Sequence, residues 1–385
     1  MRGKVVEACT SQVLEASPLR QAPRCPHAGQ CGGCSLQHLP EAEQLALKQR
    51  SLAGQLKNQG LEPRIWDEPL SGPAWGYRRR ARLAVRWDPA CRQLAVGFRA
   101  LSSQQIVPVC QCPVLVPALQ LVLPELVSRL QALAEPRRLG HVELLAVDSG
   151  CALLVRHLGP LAAADHQALV HFCQAREMQL WLQDGQVPAQ VDTGKPGLPL
   201  AYTLAPGALA IGCQPGDFVQ VNAAVNQAMV SRTLDWLSPP SGGRLLDLFC
   251  GLGNFSLPLA ASGAEVTGVE GSAEMVARAR LNAGQNGLAA VHFYQADLSK
   301  PLPAAPWSAG PFAAVLLDPP REGARAVAGM LAGLGAQQVL YVSCNPATLA
   351  RDAALLQQQG YRPERACVLD MFPQTAHAEA MVLFA

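Results

Sequence analysis

Apolar residues recur along this chain in two rhythms, and the change between them falls near its midpoint. In the first half, Ala42, Leu45, Leu47, Leu52 and Leu56 are spaced like one face of an amphipathic helix over 40–59. From Tyr77 to Val109 the pattern turns to alternation, as in Arg82-Leu83-Ala84-Val85-Arg86-Trp87, which predicts half-buried strands. A helix is expected over 115–133, between prolines. A hairpin is expected from 141–147 and 152–156 around Asp148-Ser149-Gly150, then a helix over 160–176. The Pro- and Gly-rich stretch 186–200 predicts an exposed connection. In the second half, strand-like runs at 244–249, 265–270, 291–294, 314–318 and 338–343 alternate with helical runs near 273–286, 324–334 and 346–358, and a last strand follows at 380–384. That alternation predicts a doubly wound α/β unit with a parallel sheet, behind a β-rich α+β unit. The boundary is expected near 200–215.

Composition narrows the class. Of 385 residues, 49% are apolar and 16% charged, which favours large buried cores over disorder. No uncharged apolar run is long enough for a membrane span, and Met1–Arg20 lacks the pattern of a secretory signal. The net charge of +2 leaves room for a local basic patch. Thirteen cysteines, irregularly spaced and odd in number, fit a reducing cytoplasm and metal or catalytic roles better than disulfides.

The run Leu245-Leu246-Asp247-Leu248-Phe249-Cys250-Gly251-Leu252-Gly253-Asn254-Phe255 is a strand entering a glycine loop and then a helix. Glycines let backbone turn sharply and approach a ligand. Glu270 ends the next strand, where a carboxylate can accept the hydroxyls of a ribose. Asp297 follows a third strand, within reach of an adenine. The loop lacks the spaced glycine triplet of the dinucleotide fingerprint. S-adenosylmethionine, which has no pyrophosphate, is the expected cofactor.

Asp318, in Leu317-Asp318-Pro319-Pro320-Arg321, and Cys344, in Tyr341-Val342-Ser343-Cys344-Asn345-Pro346, each close a strand on the edge where open α/β sheets bind ligands. A thiolate adding to C6 of uracil makes C5 nucleophilic enough to accept a methyl group. The C5 proton then needs a base, and Glu379 is the candidate. Asp318 can hold the ring against Cys344. An amino-nitrogen methyltransferase is a rival reading, opposed by Arg321 where an aromatic would follow Asp-Pro-Pro. An RNA-binding sensor that has lost catalysis is another, opposed by Cys344, Asp318 and Glu379 occurring together.

Cys25, Cys31 and Cys34 share a short glycine-bearing loop, and Cys110 or Cys112 can supply a fourth thiol. Zinc and an iron–sulfur cluster both fit such a set. Arg78, Arg79, Arg80 and Arg82, beside Trp75 and Tyr77, form the densest basic run, suited to phosphates and bases. The target uridine must leave its stack to meet the thiol.

Together, Asp-Leu-Phe-Cys-Gly-x-Gly-Asn-Phe, Leu-Asp-Pro-Pro-Arg and Tyr-Val-Ser-Cys-Asn-Pro-Ala-Thr-Leu-Ala-Arg-Asp resemble the RNA 5-methyluridine methyltransferase family, from about Cys25 to the C-terminus. The resemblance implies a class I S-adenosylmethionine-dependent methyltransferase fold, with Cys344 as nucleophile and Glu379 as base. It implies cofactor contacts by Gln220, Phe249, Asn254, Glu270, Asp297 and Asp318. Phe218 is expected either to stack on the flipped base or to be a core aromatic. Ribosomal-RNA members of the family carry a 4Fe-4S cluster, which here implies ligands Cys25, Cys31, Cys34 and Cys112. The implied partner is 23S rRNA, unassembled or partly assembled, met by a cytoplasmic monomer away from membranes. The implied division is 1–22 as the remnant of an N-terminal TRAM-like barrel, 23–205 as the iron–sulfur and central RNA-binding unit, and 206–385 as the methyltransferase.

Overall fold

The structure, a computed structural model, describes residues 12–385 except 186, 195–197, 206–207 and 301–302. Half of the expected barrel remnant, residues 1–11, therefore lies outside the described residues.

The first half follows the predicted order. Helix α1 spans Glu41–Lys57, and a two-residue strand β1 covers Ile65–Trp66. Strands β2 (Arg80–Asp88), β3 (Gln93–Arg99) and β4 (Ile106–Pro108) precede helix α2 (Pro117–Gln131). Strands β5 (Leu139–Val147) and β6 (Gly150–His157), helix α3 (Ala163–Ala175) and strands β7 (Met178–Gln183) and β8 (Ala189–Val191) complete the unit. These strands form one seven-stranded sheet in the order β4-β3-β2-β5-β6-β7-β8. The stretch expected to be only an exposed connection thus supplies its edge strand, β8. Ala81, Leu83 and Val85 of β2 are buried with leucines of α2, while Arg82 and Arg86 on the other face are exposed. One face of this sheet is core throughout; the other is open along β2, where the pattern alternates, but at Leu145, Leu154 and Trp181 it packs against the doubly wound unit.

A hairpin of β9 (Ala201–Leu204) and β10 (Leu209–Gly212) leads to α4 (Ala223–Leu237) and the second sheet. There β11 (Arg244–Leu248), β12 (Glu265–Glu270), β13 (Val291–Gln295), β14 (Phe312–Leu317) and β15 (Ala336–Ser343) run parallel. Helices α5 (Ser256–Ala261), α6 (Ala273–Gln285), α7 (Arg325–Ala328) and α8 (Pro346–Gln358) lie between or after them, and β16 (Pro363–Leu369) and β17 (Glu379–Phe384) follow. The order is β1-β16-β17-β15-β14-β11-β12-β13, with β17 antiparallel to both of its neighbours. This is the class I methyltransferase sheet. The central strands are buried on both faces, which explains their unbroken apolar runs. The helical run expected over 324–334 is broken into α7 and a tighter turn at Leu331–Leu334. Residues 65–66, numbered within the first unit, pair with β16 and extend the second unit's sheet.

Candidate active site

The sheet order reverses at β11, which has β12 on one side and β14 on the other. Ligand crevices of open α/β sheets form at the carboxyl ends of such strands. Phe249 follows β11 with φ +66°, left-handed backbone that costs a non-glycine residue about 1–3 kcal/mol. Gly251 (φ +55°) and Gly253 (φ +92°) continue the turn. Glu270 ties this loop to the end of β12, accepting from Gly251 N at 3.2 Å and from Ser272 N at 3.0 Å.

Cys344 is isolated by the way its strand stops. Ser343 Oγ accepts from Asn345 N at 3.1 Å, and Asn345 Oδ1 accepts from Ala347 N at 3.1 Å, capping α8 with Pro346 in its first turn. Cys344 is the turn residue left half-buried between them. The last paired residues of β15 and β17 are Ser343 and Ala380, so Cys344 and Glu379 stand one step beyond them on adjacent strands. Asp318 follows β14, the next strand over. All three line one cavity of about 560 Å³, together with Phe218, Gln220, Phe249, Glu270, Asp297, Arg321, Phe372 and His377.

At the Cys344 end of the cavity, burial opposes ionisation of two acids, whereas Asp297, hydrogen-bonded by Lys300 and Ser299, is held down at about 2. Burial, then the charge of Asp318, pushes the Glu379 carboxyl up to about 8. Burial and Asp247 push Asp318 up to about 7. Asp247, beneath the loop, is also raised to about 7 by burial, although Ser256 Oγ donates to it at 2.5 Å. The Cys344 thiol is raised by burial and by these two acids, with Arg321 opposing them. Three groups that would each carry negative charge, Asp318, Cys344 and Glu379, thus share this cavity, with Asp247 buried behind it.

Most of the expected cofactor residues converge here. Asn254 does not. Its amide pairs reciprocally with Asn226 at 2.9 Å in both directions and also accepts from Tyr202 at 3.1 Å, so it anchors the glycine loop to α4 and β9. Phe218 is 60% exposed at the cavity rim, so it is no core aromatic.

The basic run is divided. Arg79 is buried, donates to the Gln220 carbonyl at 2.7 Å and lies over the Tyr202 ring. Arg80 donates to the Asp217 carbonyl at 2.7 Å and pairs with buried Glu143 at 2.8 Å. Both are tied to the 217–220 segment that precedes α4, and burial takes Arg79 off the RNA surface where it was expected. Arg78 faces Phe372, and Arg82 is exposed beside His141.

Sequence reasoning missed what holds the segment Asp370–His377. The buried stripe of α1 is Gln44, Lys48, Leu52 and Leu56, whereas Leu47 is exposed. Lys48 Nζ donates to Asp370 at 2.6 Å and to the Phe372 carbonyl at 2.9 Å. Gln44 exchanges bonds with Gln374 at 2.8 and 3.0 Å, and Tyr77 OH donates to the Pro373 carbonyl at 3.0 Å. Ser35 Oγ, next to Cys34, accepts from Ala376 N at 3.0 Å. The spacing 44, 48, 52, 56 was the available signal, obscured because two of its members are polar.

Beside the reaction cavity, sharing Arg321, Phe372 and His377 with it, is a second cavity of about 310 Å³. Cys25, Cys31, Cys34 and Cys112 line it, with His27, while Cys110 is exposed outside it. Burial raises the Cys31 and Cys34 thiols and pushes Cys112 up to about 12, and the neighbouring cysteines add to each shift. Among the described residues, no three His, Cys, Asp or Glu side chains converge as a ligand set for a single metal ion.

A family profile described as "Methyltransferase domain" matches residues 240–362. A curated protein of Pseudomonas fluorescens, 23S rRNA (uracil(1939)-C(5))-methyltransferase RlmD, is 57% identical over 383 residues, covering 99% of this chain and 84% of that protein. The chain belongs to that methyltransferase family. The protein of the same name from Pseudomonas aeruginosa is 55% identical over 384 residues, 100% of this chain and 84% of its own length. The crystal structure of Pyrococcus abyssi tRNA (uracil-54, C5)-methyltransferase with S-adenosyl-L-homocysteine superposes with a TM-score of 0.71. It is 24% identical and covers 97% of this chain and 88% of that one, a likeness of fold.

Proposed function

We propose that this chain methylates carbon 5 of a uridine in 23S rRNA with S-adenosylmethionine, through a covalent bond from Cys344 to C6. The observation that carries the reading is the single cavity shared by Cys344, Glu379, Asp318 and Glu270. The residues fit the cofactor: Glu270 and Asp297 offer carboxylates to hydroxyl and amino groups, and Phe249, Met275 and Leu298 offer apolar surface to a flat base. When bound, the cofactor supplies an electrophilic methyl group on a cationic sulfur. Cys344 gives up its thiol proton to solvent as its Sγ bonds to C6, and the ring electrons displaced onto C5 form the new bond to the methyl carbon while that carbon's bond to the cofactor's sulfur breaks, its electron pair staying on sulfur. Glu379 accepts the proton from C5, the C5–C6 double bond re-forms, and Cys344 leaves. A carboxyl near 8 is matched to moving a proton at neutral pH. Phe218 at the rim supplies a face on which the extruded base stacks. All of these residues lie within 206–385, which carries the chemistry.

The cysteine cavity is assigned to a 4Fe-4S cluster held by Cys25, Cys31, Cys34 and Cys112. All four thiols line one cavity, and four cysteine thiolates are the donor set such a cluster takes. When bound, the cluster cross-links the Cys25–Cys34 loop to Cys112. Anaerobically purified protein should contain iron and acid-labile sulfide near four per chain, and zinc alone would refute the assignment.

The activity is tested by incubating the protein with unmodified 23S rRNA and methyl-labelled cofactor, then digesting to nucleosides. Label is expected in 5-methyluridine. Label in an N-methylated base, or in no nucleoside, would overturn the reading.

A further inference from the structure

The open face of the seven-stranded sheet carries a cavity of about 580 Å³ that the chemistry above does not use. Arg82, Arg86, Arg99 and Arg156 surround it, and Ala84 and Gly140 lie in its lining. The register explains the gathering. Ala84 of β2 pairs with His141 of β5, and His141 pairs with Arg156 of β6. Arg82 and Arg86 stand two residues to either side of Ala84, about 6.6 Å away along the strand. Small side chains are therefore ringed by long cationic ones.

These cations are available. Arg82, Arg86 and Arg99 are exposed and Arg156 is half-buried. Arg82 donates to His141 Nδ1 at 3.2 Å, and no salt bridge is formed by any of the four among the described residues. The acid that pairs with Arg82 in register, Glu143, is buried and already taken by Arg80 at 2.8 Å. Burial and the flanking Arg82 and Arg156 lower His141 to about 4, so at neutral pH it is an uncharged acceptor that orients Arg82.

The face is also continuous with the reaction site. Arg82 lines both this cavity and the cysteine cavity. Arg321, Phe372 and His377 line both the cysteine cavity and the reaction cavity. We propose that the sugar–phosphate backbone of the substrate RNA leaves the reaction cavity past Arg321 and lies across this arginine face, with Arg82, Arg86, Arg99 and Arg156 binding its phosphates. Guanidinium forks grip phosphate oxygens in pairs, and the Ala84–Gly140 floor lets the backbone come close. This site rests on the reading of RNA as substrate and deepens it: the face supplies affinity, the reaction cavity chemistry.

The test compares wild type with the triple variant Arg86→Ala/Arg99→Ala/Arg156→Ala. RNA affinity is measured against salt concentration, alongside methyl transfer at saturating RNA. The salt slope is expected to fall by about 0.7–0.9 for each lost contact, roughly 2 in all. KM for RNA should rise at least about tenfold, with the saturated rate kept within about twofold. Lysine at the three positions should restore most of the slope, since it keeps the point charge. Arg129→Ala, on α2 at the opposite face of the sheet, should leave the slope unchanged. A triple variant with wild-type slope and KM would overturn the proposal. Because wild type is assayed in parallel, a failure of the methylation reading appears separately, as absence of 5-methyluridine from the unmutated protein.

Discussion

The reaction cavity and the arginine face treat charge in opposite ways. The first buries Asp318 and Glu379 beside a half-buried thiol and raises all three proton affinities. The second leaves arginines in solvent on a bare sheet face. Burial makes acids hold protons until a substrate arrives, which suits chemistry; exposure keeps cations free for a mobile polyanion, which suits affinity. The two regions should therefore fail differently when altered.

The largest expected effect is at Cys344. Cys344→Ala should lower methyl transfer by at least about 10⁴-fold while leaving RNA affinity and its salt slope intact, read by single-turnover kinetics and titration. Glu379→Gln comes next, slowing turnover about 10²–10⁴-fold. Because it blocks the step after methyl transfer, an RNA–protein adduct should accumulate with ordinary uridine, visible on denaturing gels.

Lys48→Met tests the support beneath the cavity. Removing one partner of a buried ion pair costs about 3–5 kcal/mol, measured by denaturant unfolding. Adding Asp370→Asn should recover part of that loss.

The smallest effect, taken per pH unit, is in the pH dependence of stability. Glu379, raised from 4.5 to about 8, binds its proton more tightly in the folded chain than in the unfolded one. Its contribution is complete below the unfolded value and is lost as pH rises through the folded one. Unbound protein should therefore lose up to about 1.4 kcal/mol per pH unit from this group between those values, and Glu379→Gln should flatten that part of the profile. Substitutions on the arginine face should leave the profile unchanged.

The strands, the glycine loop and the residues at the carboxyl ends of the sheet were legible because each depends on local pattern: apolar runs, φ-permissive glycines, a Ser-Cys-Asn-Pro stop. Long-range partnership was not. Nothing local says that Ile65–Trp66 will join β16, or that Lys48 will meet Asp370. Arg79 and Arg80 read as surface charge because sequence shows their type but not the carbonyls and the Glu143 carboxylate that claim them. The pairing of Asn254 with Asn226 was hidden for the same reason: Asn226 lies on a helix whose place is set by packing. The arginine face was hidden because its members come from three strands and meet only through register.

The central claim, a covalent route through Cys344, is tested most directly with RNA carrying 5-fluorouridine at the target position. Glu379 has no proton to remove from C5 of that ring, so the bond to Cys344 cannot be released after methyl transfer. A cofactor-dependent covalent adduct is expected, with the modified peptide containing Cys344 and no adduct in Cys344→Ala. Methylation of natural RNA by a protein that forms no adduct with the fluorinated one, or an adduct that persists in Cys344→Ala, would contradict it.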